Sequence, residues 1–68
     1  GETMILILNG QPYDTAAGTV AQLLHEKDIA ADGTAVAVAE QVVPRSQWDT
    51  TELREGATVE ILTAVQGG

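Results

Sequence analysis

Asn9-Gly10 is the dipeptide that most restricts how this chain can fold. It separates an apolar run, Met4 to Leu8, from Pro12-Tyr13-Asp14-Thr15, and Asn-Gly tolerates the positive φ angles that a two-residue hairpin turn needs. An N-terminal β-hairpin is therefore predicted. The 68 residues allow one domain at most, and chains of this size bury only about 60% of the surface exposed when unfolded, too little for a deep enzyme cleft.

Beyond the hairpin, Thr19 followed by Gln22 fits a capping box, in which hydroxyl and amide each satisfy the other's backbone N–H. Val20, Leu23 and Leu24 repeat at helical spacing, and the glycine and charges from Asp28 to Thr34 end the helix. Ala35 to Ala39 alternates small and β-branched residues and reads as a strand; Gln41-Val42-Val43 reads as a shorter one stopped by Pro44. Arg45 to Glu55 is polar around Trp48 and Leu53, an irregular connection with a helical turn, and Thr58 to Thr63 is a last strand. The order is β-β-α-β-β-β: an α+β domain with a mixed sheet of four or five strands and one main helix across it.

Strand parity places Met4, Leu6, Leu8, Val36, Val38, Val59 and Ile61 against the helix, with Trp48 plugging the edge of the core. The same parity leaves Ile5, Ile7, Leu62 and Ala64 on the opposite face. That stripe is either a docking surface or the scattered apolarity ordinary on protein surfaces.

Ten Asp and Glu against three Lys and Arg give a formal net charge of −7, which repels phosphate backbones and makes nucleic acid an unsuitable partner. Such acidity either steers the domain onto a basic protein surface or simply keeps it soluble. Cysteine is absent, so any sulfur chemistry needs a thiol from elsewhere. Apolar runs fall far short of the roughly 20 residues that cross a bilayer. No signal peptide is evident, and a cytoplasmic location is expected. Residues 1–3 read as an expression-tag remnant, residues 4–63 as the domain, and residues 64–68 as a flexible tail ending in Gly67-Gly68.

Other candidates carry little chemistry. His25 and Ser46 are the sole histidine and serine, with unrelated sequence between them, which disfavours a hydrolytic triad. Asp28-x-x-x-Asp32-Gly33 lacks the alternating oxygen ligands and closing Glu of a calcium loop, and no metal site is expected. Arg45 is a partner contact or a plain surface residue. Glycines are scattered, with no phosphate-cradling loop, so the chain is expected to bind no cofactor.

The glycine pair is the informative end. Without Cβ atoms it forms a thin tip bearing a carboxylate, shaped to thread a narrow channel in another protein. Together with Asn9-Gly10, Val42-Val43-Pro44-Arg45-Ser46-x-Trp48, Gly56-x-x-Val59-Glu60-Ile61 and Ala64-Val65-Gln66-Gly67-Gly68, it makes the chain resemble the ThiS family of sulfur carriers over essentially Met4 to Gly68. The resemblance implies a ubiquitin-like β-grasp fold. It further implies that a ThiF-type adenylating enzyme, using ATP and magnesium, converts the Gly68 carboxylate to an acyl-adenylate. A persulfide derived from a cysteine desulfurase then displaces AMP, and the resulting thiocarboxylate gives its sulfur to a ThiG-type thiazole synthase in thiamin biosynthesis. On that footing the chain is a carrier and not an enzyme, Gly68 is the modified residue, and Val65, Gln66 and Gly67 thread the partner's site.

Two alternatives remain open: the small-subunit type of molybdopterin-synthase carrier, and a ubiquitin-like modifier or interaction module. Glu40 departs from the family pattern, where Asn is expected in the turn after the Ala-Val strand.

An ionised carboxylate, with a pKa of about 3.5, resists nucleophiles and must first be activated. Five extended residues reach at most about 17 Å, enough to bring Gly68 into a recessed site while the domain docks outside.

Overall fold

The computed structural model describes residues 2–64; of the tail, Val65, Gln66, Gly67 and Gly68 lie outside the described residues, as does Gly1. Two strands, β1 (Met4–Leu8) and β2 (Gln11–Thr15), form the predicted hairpin. Asn9 (φ 49°) and Gly10 (φ 82°) occupy its turn, both in the left-handed region that Asn and Gly tolerate best. A seven-residue helix, α1 (Val20–Glu26), follows, then β3 (Thr34–Val38), β4 (Gln41–Val43), a 3₁₀ turn over Arg45–Gln47, and β5 (Thr58–Thr63).

The five strands form one sheet in the order β2-β1-β5-β3-β4, with β1 and β5 parallel at the centre and the remaining pairs antiparallel. α1 lies across one face and seals Val20, Leu23 and Leu24 against Leu6, Leu8, Val36, Val43, Val59 and Ile61. This is the β-grasp arrangement expected from the sequence. Met4 and Val38 pack against the same core half-buried, and Trp48 closes its edge with its indole N–H donating to the Val43 carbonyl at 2.9 Å.

α1 is short, so its stability depends on satisfied ends more than on propensity. Thr19 caps it, the hydroxyl accepting from the Gln22 N–H at 3.2 Å. The other half of the expected capping box shifts by one residue: Gln22 Oε1 accepts from the Gly18 N–H at 2.7 Å, where a Cβ would stand only 3.4 Å from that oxygen. Two further free donors of the first turn, Val20 N–H and Ala21 N–H, find the carbonyls of Thr51 and Trp48. The connection from Arg45 to Glu55 is thus an ordered cap on the helix, tied back again by Leu53 N–H to the Gly18 carbonyl.

The second hairpin departs from expectation at its turn. The run Ala35 to Ala39 is read as strand, but β3 stops at Val38 because Val38 pairs with Gln41 and leaves Ala39 and Glu40 as the two turn residues. Their φ values of 52° and 68° reproduce the geometry of the first turn without its residues. Left-handed backbone costs a residue bearing a Cβ about 1 kcal/mol. A hydrogen bond from Ala39 N–H to the Thr58 carbonyl, 2.9 Å, holds the tip against β5.

Candidate functional site

β5 is the element that delivers the C-terminal segment, and Ala64 is the last described residue on that path. Ala64 is exposed, and its N–H donates to the Gly33 carbonyl at 2.7 Å, one rung beyond the Thr34–Thr63 pair that ends the β3–β5 ladder. Gly68, Gly67, Gln66 and Val65, the residues expected to be modified or threaded, lie outside the described residues.

Of the expected outer-face stripe, Ile5 and Leu62 are 46% and 68% exposed and Ala64 is exposed, whereas Ile7 is half-buried. The four do not form one stripe. β1 and β5 run parallel with Ile7 beside Thr58, so Leu62 lies four residues further along β5, about 13 Å from that pair and past the end of β1. Sequence parity assigns a face but carries no information about register, so it cannot separate the β1 residues from the far end of β5.

Leu62 instead joins residues the sequence did not single out. It pairs with Ala35, and Ala37 pairs with Val42, the most exposed of the large apolar residues at 76%. These four side chains line a trough of about 300 Å³ with Glu40 and Glu60 among its walls. The trough is apolar in its floor and acidic at its margin, and β5 leads from it directly towards the C-terminal segment. Val42 was missed because a three-residue strand has too little periodicity to show which face each residue takes.

A larger depression, about 470 Å³, lies beside α1 between Ala17, Ala21, Gln22, His25 and Glu26, and contains no residue of β5. Near it is a polar cluster that no sequence motif announced. Glu26 accepts from the Tyr13 hydroxyl at 2.6 Å and from the Thr15 hydroxyl at 2.9 and 2.8 Å, while Thr15 Oγ1 itself accepts from the Ala17 N–H. The Tyr13 and Thr15 hydroxyls hold the Glu26 carboxyl below its ordinary pKa, and the same bond to Glu26 raises Tyr13 above its own. Lys27 stands 4.6 Å over the Tyr13 ring. The cluster ties edge strand β2 to the end of α1, and the Glu26 carboxylate, though exposed, is engaged by both hydroxyls. Tyr13 and Thr15 lie 13 and 11 positions from Glu26 and can be paired with it only once the sheet is placed.

Other candidates resolve plainly. His25 and Ser46 are both exposed, and among the described residues no group of three or more His, Asp or Glu could hold a metal ion. Arg45 forms an exposed ion pair with Asp32 at 3.0 Å, so the Asp28 to Gly33 segment works as a turn fastened to the 3₁₀ turn. No described helix is long and apolar enough to cross a membrane.

The fold and the trailing segment together can be compared with known proteins. The model of the ThiS family matches residues 6–68. The chain belongs to the ThiS family. It is 35% identical over 66 residues to the sulfur carrier protein ThiS of Escherichia coli K12, a match spanning 96% of this chain and all of that protein. Among solved structures, it is similar to the crystal structure of the thiamine biosynthesis protein ThiS from Geobacter metallireducens, with a TM-score of 0.81 and 30% identity over 96% of this chain and all of that one. The solution structure of a thiamine biosynthesis protein from the same organism gives a TM-score of 0.77 and 31% identity, covering 96% of this chain and 88% of that one. ThiS membership extends through the glycine pair, since the family match runs to Gly68.

Proposed function

We propose that the protein is a noncatalytic sulfur carrier of thiamin biosynthesis whose working group is the Gly68 carboxylate. A ThiF-type enzyme with ATP and magnesium activates it as the acyl-adenylate with release of pyrophosphate. The outer sulfur of a cysteine-desulfurase-derived persulfide displaces AMP to form an acyl disulfide, a thiol reductant cleaves the S–S bond to free the thiocarboxylate, and the thiocarboxylate supplies sulfur to a ThiG-type thiazole synthase. The cytoplasm is the compartment where these partners act. The observation that carries the reading is the family match reaching Gly68, joined to a β5 that ends at Thr63, five residues before Gly68 in the sequence.

The chemistry explains the division of labour. A carboxylate anion offers a poor leaving group and repels anionic nucleophiles; an acyl-adenylate has a good leaving group and partly relieves the repulsion. Gly67 and Gly68 present no side chain to the activating site, and ordering them there costs conformational entropy. Docking must offset that cost. The Val42, Leu62, Ala35 and Ala37 trough, bordered by Glu40 and Glu60, fits a partner with an apolar knob and a basic rim.

Intact-protein mass spectrometry after incubation with ATP, magnesium, a ThiF-type enzyme, a persulfide donor and a thiol reductant tests the reading. Replacement of one oxygen by sulfur, mapped to Gly68, is expected. An unchanged terminus, or an amide bond from Gly68 to lysines of other proteins, overturns it.

A further inference from the structure

β5 is gripped differently on its two sides. Towards β3 the ladder is continuous from the Val38–Val59 pair to Thr34–Thr63, with the Ala64 to Gly33 bond added at the end. Gly33, at φ +76°, then turns β3's chain away, and among the described residues Ala64 has the last rung on that side. Towards β1 the backbone partner ends earlier. β1 stops at Leu8 beside Val59, and Asn9 N–H donates to the Val59 carbonyl at 2.9 Å.

The next peptide groups of β5 on the β1 side belong to Ile61, and a side chain takes both. Ile61 N–H donates to Asn9 Oδ1 at 2.9 Å, and Asn9 Nδ2 donates to the Ile61 carbonyl at 3.2 Å. A primary amide offers a donor and an acceptor at the separation of a peptide unit, so the Asn9 side chain stands in for one more residue of β1. Aspartate cannot do this, having no N–H; glycine cannot, having no side chain. The turn itself does not demand Asn here, since glycine accepts positive φ at least as readily.

We infer that Asn9 is a positioning residue, its amide clamping β5 at Ile61 so that the strand delivers the C-terminal segment along a fixed line to the enzyme that activates it. This rests on the carrier reading above. A loosened exit would spread the segment over more orientations, only some of which engage while the domain is docked. The loss would then fall on KM and leave kcat, measured on the engaged complex, largely intact.

The test uses the full chain with Asn9→Gly, which keeps the turn and deletes both clamp bonds. Thr19→Ala is the comparison, removing the cap of α1 without touching β5. Amide hydrogen exchange is followed at Ile61 and at Val36, and adenylation is followed by ATP–pyrophosphate exchange with a ThiF-type enzyme. Asn9→Gly is expected to speed exchange at Ile61 about ten-fold relative to Val36 and to lower kcat/KM about ten-fold through KM, as loss of two partly exposed hydrogen bonds allows. Thr19→Ala should change exchange at both amides together and leave kcat/KM as in the parent. Exchange at Ile61 that stays in step with Val36 in Asn9→Gly overturns the clamp. Faster Ile61 exchange with parental kcat/KM overturns its positioning role. A parent chain that is not adenylated at all defeats the carrier reading and with it the aim assigned to Asn9, while the exchange rates still report whether the clamp exists.

Discussion

The two faces of this sheet are made by the same five strands, yet only one of them makes the fold. On the inner face Leu6 and Val59 are wholly buried and Val36 nearly so, sealed by Val20 and Leu23 of α1. On the outer face Leu62 and Val42 remain in water although they alternate with those core residues. Strand geometry forces alternation but does not require both faces to be apolar. The inner face therefore answers the demands of folding, and the apolar outer residues are free to answer those of a partner.

The largest expected effect breaks the inner face. Leu6→Ala removes a wholly buried side chain beneath α1, and core truncations of this kind cost about 3 kcal/mol out of a total on the order of 5 kcal/mol in small domains. Denaturant melts should show the midpoint falling by roughly 60%, with the variant still mostly folded before denaturant is added; a variant that melts like the parent would mean the core is misassigned.

The outer face should respond in the opposite sense. Leu62→Asp is expected to change stability by less than about 0.5 kcal/mol, as substitutions at exposed positions generally do. It should raise KM for adenylation about ten-fold, because a new charge must be desolvated against a partner's apolar surface. A collapsed melting temperature, or unaltered KM, would contradict the separation of the faces.

A smaller effect sharpens the inner face at its polar margin. Tyr13→Phe removes the strongest influence holding the Glu26 carboxyl below its ordinary range. Because the folded-state pKa of Glu26 is depressed, the stability it contributes is present above the unfolded carboxylate range and fades as pH falls through the folded value. Tyr13, raised by the same bond, contributes below its ordinary pKa and loses that contribution as the phenol ionises. The gap between parent and Tyr13→Phe should thus be widest near neutral pH and close at both extremes. Glu26 is exposed and solvent screens it, so the gap should stay under about 1 kcal/mol. A gap constant with pH would show that the bond does not form in solution.

Much of the inner face could be read from the chain alone. The apolar run Met4 to Leu8, the alternation that opens Thr58 to Thr63, the helical spacing of Val20, Leu23 and Leu24, and the Asn9-Gly10 turn are local signals, and each element formed within a residue of its expected place. What escaped depends on residues distant in sequence. Asn9 reads as a turn residue, and its amide finds Ile61 only because β5 lies beside β1, 52 positions away along the chain. Register likewise separates Ile5 and Ile7 from Leu62 and brings Val42 to it. Ala39 reads as strand because nothing in Ala-Glu advertises a left-handed turn; the Ala39 to Thr58 bond imposes it from outside. The C-terminal glycines stand out in the sequence itself, beyond the described residues.

The central claim is that the folded domain serves as a handle and that the last two residues carry the chemistry. It is tested most directly by deleting Gly67 and Gly68 and comparing the shortened chain with the parent in thermal unfolding and in adenylation by a ThiF-type enzyme with ATP and magnesium. The account predicts coincident melting curves and no detectable adenylation of the shortened chain. Adenylation at the parental rate would contradict it.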